Sequence, residues 1–456
     1  MGHGWLSAIP VPCGSWAGLW LYLEPGYICG GRFFGRCVCA NGRYPPSGNG
    51  LNPPNNLYQS FTTVQESLMP RSLMHQEIDS VPELVRVMLP RLTDAISQII
   101  TPTLSRQIRR VYVTGCGDSY YAGLTSKLAF EQLAGLPCEP MPAMQFGRYA
   151  TPFLPAPRAE LLTLAVSVSG KVSRTVEALR LAQHEGVTAV AITGNPHSPL
   201  AQVAKLVLQT TLPPFPQKPS DQVVPGMRSY VASQLALFLT AIHLGEQRGH
   251  LTGAQADGYR HDLAHTANLM AETIELCDPI ARETAVSWTD ADRFVWCGTG
   301  PNYGTAHFCA AKIIEASGDT AVAQDTEEWA HIQYFEKQPH TPTFLISAGH
   351  RDQSRTVEIA TAATHIGRRV GIIAPATSLI ARTAHKAAYL PVALPLHECF
   401  SPLLTCLPGA LFAAWRAETI GEPYFRAFGG GRSSTGGGGI SRIQTSDQID
   451  IPDRNS

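Results

Sequence analysis

The chain has 456 residues, of which 44% are hydrophobic and 16% charged, and its formal net charge is -1 at pH 7. This length and composition are typical of a soluble globular protein with two lobes, and a nearly neutral chain offers no electrostatic attraction for nucleic acid or an anionic membrane. The 11 cysteines are few and scattered, which argues against a disulfide scaffold and favours a reducing cytoplasm.

The N-terminal segment, residues 1–73, differs from the rest of the chain. It is rich in Gly, Pro and aromatic residues and lacks a helical or alternating apolar pattern, so we expect an irregular extension. Prolines and glycines interrupt its only candidate signal sequence. Its cysteines could bind zinc, but Cys37 and Cys39 are too close together for an ordinary zinc knuckle, and we expect no metal site.

The next segment, residues 74–250, has the pattern of an α/β lobe. Apolar residues at helical spacing predict helices over 78–100, with a break at Pro90. Short apolar strands then alternate with amphipathic helices, which predicts a parallel sheet covered by helices on both faces. The strands are predicted at 110–114, 161–167, 189–193 and 205–209, and the helices at 119–134, 173–185 and 229–245. Glu139 falls in a proline-flanked stretch that we predict to be a loop.

A repeat predicts that a second lobe follows at 251–428. Residues 173–177 and 354–358 share the sequence SRTVE, and residues 111–135 align with 294–318 at nearly the same distance upstream. Two matched blocks in the same order indicate a tandem duplication. We therefore predict two α/β lobes, each a parallel sheet flanked by helices, followed by a glycine-rich flexible tail at 429–456.

The turn after the strand at 161–167 is the strongest local signal for a ligand. Ser167, Ser169 and Gly170 lie between an apolar strand and a helix, where hydroxyls and free backbone amides can hold a phosphate. An ordinary capped strand-to-helix turn is the alternative. The matching turn of the second lobe, which begins at Ser347, is longer and poorer in hydroxyls, so we expect only the first lobe to bind phosphate.

A second glycine turn follows the strand at 110–114. Gly115 and Gly117 invite comparison with the dinucleotide fingerprint, but Tyr120 stands where the third glycine is needed, so we expect no nucleotide cofactor. Gly117 instead permits close backbone approach to a ligand. Asp118 and Ser119 add polar groups at the same turn.

The second lobe supplies the candidate acid and base groups. Lys312 and Glu315 are three residues apart on a predicted helix and share a face. Such a pair is usually a surface ion pair, but this helix is otherwise apolar, so we expect the pair to face a cleft. Glu315 can then serve as a base for a proton next to a carbonyl, and His331 as an acid or base near neutral pH. A purely structural role for His331 is the alternative.

Together these motifs resemble the tandem sugar isomerase (SIS) domains that form the isomerase half of glutamine:fructose-6-phosphate amidotransferases. The resemblance covers about residues 74–421. The turn at 115–120 is similar to the family's C-G-T-S-Y, residues 167–170 to its phosphate-binding S-Q-S-G, residues 312–315 to its K-L-K-E and residues 328–331 to its E-L-K-H. Arg228 falls where the family has the lysine of S-T-K.

The resemblance implies roles for two of these residues. Glu315 would move a proton between sugar carbons, and His331 from a neighbouring subunit would assist ring opening. The departures are equally specific. Val168 and Val172 stand where the family has Gln and Thr, no lysine follows Lys386 to form the family's Schiff base, and residues 1–73 do not match its glutaminase. Arg432 or Arg442 in the tail could contact a ligand but cannot form an imine.

We therefore expect a glutamine-independent SIS enzyme that acts on a sugar phosphate or amino-sugar phosphate through an enediol-like intermediate. Isomerase, deaminase and deglycase activities all fit. The alternative is a non-catalytic regulatory protein that binds a sugar phosphate. We expect a cytoplasmic homodimer that needs no cofactor or metal and binds neither nucleic acid nor a membrane.

Overall fold

The computed structural model describes residues 71–215, 223–380, 387–427 and 442–450. Cys37 and Cys39, the suggested zinc ligands, and Arg432 lie outside these ranges. Two parallel five-stranded sheets form the framework of the described chain. Helices α1 to α3, which precede the first sheet, are Leu73–Asp79, Val81–Ile99 and Pro102–Gln107.

The first sheet has the strand order β2-β1-β3-β4-β5. Its strands β1 to β5 are Arg110–Gly115, Cys138–Pro142, Leu161–Val166, Thr188–Thr193 and Leu206–Gln209. Helices α4 to α7 are Asp118–Leu133, Ser173–His184, Pro199–Val203 and Arg228–Gln247. Every residue of β3 is buried, as expected for a strand with helices on both faces.

The second sheet repeats this arrangement, with the order β10-β9-β8-β6-β7. Its strands β6 to β10 are Arg293–Gly298, Thr320–Gln324, Pro342–Ile346, Arg369–Pro375 and Ala388–Val392. Helices α8 to α12 are Gly253–Ser287, Pro301–Ala316, Thr326–His331, Gln353–His365 and Pro402–Ile420. Strands β6, β7, β8, β9 and β10 therefore occupy the positions of β1, β2, β3, β4 and β5.

The glycine turns of the two lobes have nearly the same backbone dihedral angles. Gly117 and Gly300 precede α4 and α9 with φ/ψ of 56°/-131° and 56°/-129°, a region that strongly favours glycine. The preceding Gly115 and Gly298 are equally constrained, because a Cβ there would lie within 3 Å of the following helix. The predicted fold of two α/β lobes is confirmed, and the two lobes share one local geometry at the start of their first crossover helix.

Two predictions about local structure are wrong. Pro90 does not break the first long helix, because α2 continues through it. Pro90 and Arg86 are both exposed, so the carbonyl that loses its amide partner faces solvent. Glu139 lies in the strand β2 rather than a loop. This strand is at the edge of its sheet, where its prolines are tolerated because fewer ladder hydrogen bonds are needed.

One hydrophobic cluster of the described residues extends through both lobes and includes α4, α7, α9 and α12, and each lobe has a further, smaller cluster of its own. The stretch Glu398–Ile420, which includes α12, is long and apolar enough to cross a membrane, but almost all of it is buried in the protein. It packs against α8 and α9. We therefore interpret it as an interior helix.

Helix α9 packs against α4 and joins the lobes at close range. A Cβ on Gly304 would lie 2.8 Å from the carbonyl oxygen of Tyr121, so the two helix backbones approach each other closely at this glycine. This crossing brings the C-terminal half of α9 next to the first turn of α4, where the candidate site lies.

Candidate active site at the carboxyl ends of β1 and β3

The site begins at two turns that follow adjacent strands. Strands β1 and β3 are paired in parallel, with Thr114 opposite Ala165, so the turns that begin after Gly115 and Val166 are about one strand spacing apart. Strand order changes direction here: the chain goes from β1 outward to β2 and then back across to β3. In open α/β sheets such a switch point leaves a crevice for a ligand.

The turn after β3 has the features of an anion cradle. Ser167 is 3% exposed, and its hydroxyl has no hydrogen-bond partner among the described residues. Gly170 is buried, with φ of 63°, and its amide donates to the Ser167 carbonyl. The Ser169 hydroxyl is exposed and accepts a hydrogen bond from the Lys171 amide. An unpartnered buried hydroxyl is costly unless a ligand or water satisfies it.

The turn after β1 leads into an ion triad. Asp118 is the first residue of α4, and its carboxylate accepts a hydrogen bond of 2.7 Å from the Lys312 ammonium. The same ammonium donates to Glu315 at 2.5 Å. Asp118 and Lys312 are 194 residues apart in sequence, so the triad joins the two lobes through the α4 and α9 crossing.

Lys312 is fully buried, whereas the carboxylate side chains of Asp118 and Glu315 are 24% and 31% exposed. Burial by itself lowers the pKa of the lysine, but the two carboxylates outweigh it and the pKa lies above its ordinary value. The ammonium also lies 4.9 Å from the centre of the Phe308 ring. Lys312 is therefore a fixed positive charge that links the partly exposed Glu315 to Asp118 at the turn after β1.

A tyrosine that the sequence analysis did not select lies at the same place. Tyr121 stacks on His307 with ring centres 5.2 Å apart. Burial raises the pKa of Tyr121, and the charges of Asp118 and Glu315 raise it further against the opposing effect of Lys312. The phenol thus stays protonated at neutral pH and can donate a hydrogen bond near the triad. The only sequence signal for it was its position one turn into α4.

Ser119, another predicted ligand contact, is buried in the first turn of α4. It lies close to Gly115, where an added Cβ would be 2.8 Å from the Ser119 Cβ. Gly117 is exposed at the mouth of the turn. Both residues therefore lie at the switch point with Asp118, and their predicted contacts with a ligand stay predictions.

The structure does not join His331 and Arg228 to this group. His331 ends α10, is exposed, and has Glu327 as its described hydrogen-bond partner at 3.2 Å. The Arg228 guanidinium donates to the Ser80 hydroxyl and the Pro213 carbonyl. It lines a separate cavity of about 430 Å³ beside α2. Their predicted roles in catalysis and phosphate binding stay predictions.

The C-terminal segment 442–450 lies along α5. The Ile443 carbonyl accepts a hydrogen bond from the Ser173 amide at the first residue of this helix. Arg174 donates to the Ser446 hydroxyl, and the Ile449 amide donates to the buried carboxylate of Glu177. Arg442, suggested as a ligand contact, pairs with Asp447 within the same segment. This part of the predicted tail is thus in contact with the helix that follows the cradle.

The chain resembles known proteins in both sequence and structure. Residues 104–244 match the profile of the SIS domain. The chain is 29% identical over 351 residues to a glutamine–fructose-6-phosphate aminotransferase (isomerizing) from Gloeobacter violaceus, covering 75% of this chain and 55% of the relative. It is 26% identical over 373 residues to the protein of the same name from Bradyrhizobium diazoefficiens. The chain thus spans little more than half the length of these relatives.

Solved structures share the fold. The C-terminal domain of glucosamine-fructose-6-phosphate aminotransferase from Francisella tularensis superposes with a TM-score of 0.66 at 19% identity, covering 76% of this chain and 96% of that one. Glucosamine-6-phosphate deaminase from Thermotoga maritima gives 0.57 at 18% identity, covering 77% and 94%. The resemblance to tandem SIS domains is confirmed at the level of sequence and fold.

Proposed function

We propose that this chain, which carries a SIS domain, is a sugar-phosphate isomerase whose site lies at the switch point between β1 and β3. The observation that carries the proposal is the position of the partly exposed Glu315 on α9, because the buried Lys312 links it to Asp118 at the turn after β1, next to the cradle. A phosphate held by Ser167, Ser169 and the amides near Gly170 would position the remainder of the sugar toward this carboxylate.

The proposed reaction is a proton transfer between adjacent sugar carbons. Glu315 takes the proton from C2 of an open-chain aldose phosphate, the electron pair forms the C1–C2 double bond of an enediol, and the carbonyl oxygen receives a proton. Return of the carbon proton to C1 gives the ketose, and the C2 hydroxyl gives up its proton as the C2 carbonyl forms, which balances the proton received by the C1 oxygen. Lys312 and the Tyr121 phenol supply positive charge and a hydrogen-bond donor near the oxygens, where charge develops.

His331 has a proposed role only in an assembly. Its ring is exposed at the end of α10, where a second copy of the chain could bring it to the partner's site. We propose a homodimer in which His331 assists ring opening of the sugar. The proton transfer consumes no nitrogen donor, so we also propose that it proceeds without glutamine.

Deuterium incorporation at C2 tests the proposal directly. A thermal-shift screen of hexose, hexosamine and fructosamine phosphates selects the ligand, and NMR then follows wash-in of deuterium from D2O. Glu315→Gln keeps the shape of the side chain but cannot accept a proton, so exchange should slow by roughly 10²-fold or more while the ligand still binds.

A matched control is available on α11. Glu358 is exposed and pairs with Arg355 three residues away at 2.7 Å, so Glu358→Gln removes a similar charge from a surface pair. This variant should exchange at the wild-type rate. Undiminished exchange in Glu315→Gln would remove this residue as the base. Binding without exchange in the wild type would favour a non-catalytic sugar-phosphate-binding protein.

A further inference from the structure

The second lobe has a cavity at the position that matches the proposed active site. It measures about 250 Å³ and lies where the turns after β6 and β8 face helix α4 of the first lobe. Its lining includes the turn residues Thr299, Gly300, Pro301, Arg351 and Asp352. Strands β6 and β8 correspond to β1 and β3, so this cavity lies at the second lobe's own switch point.

The helix that closes each site comes from the other lobe. Helix α9 provides Lys312 and Glu315 to the first site, and α4 provides Leu124, Lys127, Leu128 and Glu131 to the second. The two crevices are therefore related by the internal duplication. They differ in the residues that line them, and these residues decide what each crevice can bind.

The second site has the carboxylate of Asp352 next to its turn serine, whereas the hydroxyl of Ser167 in the first site has no hydrogen-bond partner among the described residues. The Ser347 hydroxyl, which corresponds to that of Ser167, donates to one carboxylate oxygen of Asp352 at 2.9 Å. The other carboxylate oxygen is buried and has no hydrogen-bond partner among the described residues. Asp352 is only 8% exposed. Counted back from the shared SRTVE sequence, Asp352 occupies the place of Lys171, so the charge at this position of the turn is reversed.

The other charged lining residues pair with each other. Lys127 pairs with Glu131 at 3.3 Å, and Arg351 pairs with Glu398 at 2.8 Å. The carboxylate of Asp352 is the charge that these two pairs leave uncompensated in the lining. A phosphate would be repelled by it, whereas a cation or a hydrogen-bond donor would satisfy its unpartnered oxygen. Leu124, Leu128 and Pro301 supply apolar surface around it.

We propose that this second-lobe cavity is a binding site for a small primary ammonium compound with an apolar body. The ammonium group would donate to the free oxygen of Asp352, and the body would lie against Leu124 and Leu128. A cavity of about 250 Å³ has room for roughly eight water molecules, so it suits a ligand of similar heavy-atom count. This site is separate from the proposed sugar-phosphate site and does not depend on its chemistry.

Isothermal titration calorimetry of the full chain with n-hexylammonium chloride tests the proposal at pH 7.5, where the amine is protonated. Hexan-1-ol, hexanoate and inorganic phosphate are the comparison probes. We expect the ammonium to bind more tightly than the alcohol and hexanoate not to bind at the cavity. Asp352→Asn keeps the shape and an acceptor for the Ser347 hydroxyl, and should weaken ammonium binding by about tenfold or more.

A second variant locates the site independently of charge. Leu128→Trp fills the cavity from α4 and should abolish ammonium binding while leaving the response to a hexose 6-phosphate unchanged. Four results would each overturn the proposal. In the first two, the wild type binds no ammonium, or it binds the alcohol as tightly as the ammonium. In the others, either variant binds the ammonium as tightly as the wild type does, or a hexose 6-phosphate displaces the ammonium. A failure of isomerase activity would not overturn it, because calorimetry reports the amine alone.

Discussion

Replacement of Lys312 by methionine tests whether the buried ammonium stabilises the junction between the lobes. Lys312 has no solvent exposure and donates to Asp118 at 2.7 Å and to Glu315 at 2.5 Å. Methionine keeps the apolar stem but leaves two carboxylates close together without their common cation. Loss of one partner of a buried ion pair costs about 3–5 kcal/mol. Because both carboxylates retain some contact with solvent, we expect the lower end, about 3 kcal/mol.

Urea unfolding followed by tryptophan fluorescence and circular dichroism measures this cost. The matched control is Lys127→Met, which removes an exposed lysine from an i,i+4 pair with Glu131 at 3.3 Å. That change should cost no more than about 1 kcal/mol. A double-mutant cycle with Asp118→Asn isolates the contact across the lobes and should give a coupling of about 1–3 kcal/mol.

The pH dependence provides a further check on the same lysine. A raised folded-state pKa means that the stabilisation is complete below the unfolded value of about 10.4 and is lost only as the pH rises through the folded value. The difference between wild type and Lys312→Met should therefore be constant from about pH 7 to pH 9. A cost like that of Lys127→Met, or a difference that shrinks across this range, would refute the charged triad.

Three further predictions concern the cradle and the segment beside it. Ser169→Ala should weaken binding of a hexose 6-phosphate by roughly 1–3 kcal/mol in calorimetry, the value of a hydrogen bond to a charged group; unchanged affinity would place the phosphate elsewhere. Gly170→Ala and Gly300→Ala both force a positive φ on alanine, but only Gly170→Ala also places a Cβ against Ser198, at the cradle; only this variant should abolish phosphate binding, and equal binding by both would contradict the cradle. Burial opposes ionisation of Glu177, but Arg148, the Ile449 amide and Arg174 hold its pKa below the usual range. In thermal unfolding, wild type should therefore be more stable than Glu177→Gln at neutral pH, and this difference should disappear below about pH 4. A difference that persists in acid would show that ionisation of this carboxyl is not its source.

Local sequence patterns predicted most of the elements that build the site. Apolar runs of strand length predicted β1 and β3, and the pattern of apolar residues predicted α4, because these patterns reflect which face of an element is buried. Helix α9 was predicted from the repeat, which aligns residues 294–318 with residues 111–135. The glycines before α4 and α9 were equally informative, since a positive φ leaves few alternatives to glycine. The predictions of a helix break at Pro90 and of a loop in place of β2 were wrong. The free-energy cost of a proline depends on whether the backbone groups that lose their hydrogen bonds face solvent or the edge of a sheet.

The pairing of Asp118 with Lys312 needed the tertiary structure. The sequence placed Glu315 beside Lys312, because three residues in a helix are always neighbours, but no spacing rule connects residues 194 positions apart. Their contact depends on how closely α4 and α9 cross at Gly304. The sequence shows that Asp352 has the opposite charge to Lys171, but it does not show that the carboxylate is buried and accepts a hydrogen bond from Ser347.

The duplication, the alternation of strands and helices and the residue types at each turn follow from the sequence alone, because local periodicity and the positions of glycine carry them. Which of those residues share a crevice depends on how the elements pack. Within the described ranges, the fold leaves the Ser167 hydroxyl without a hydrogen-bond partner, pairs the Ser347 hydroxyl with a carboxylate, and buries one lysine between two lobes. These outcomes depend on distances between distant parts of the chain, and such distances are set by packing of the whole core.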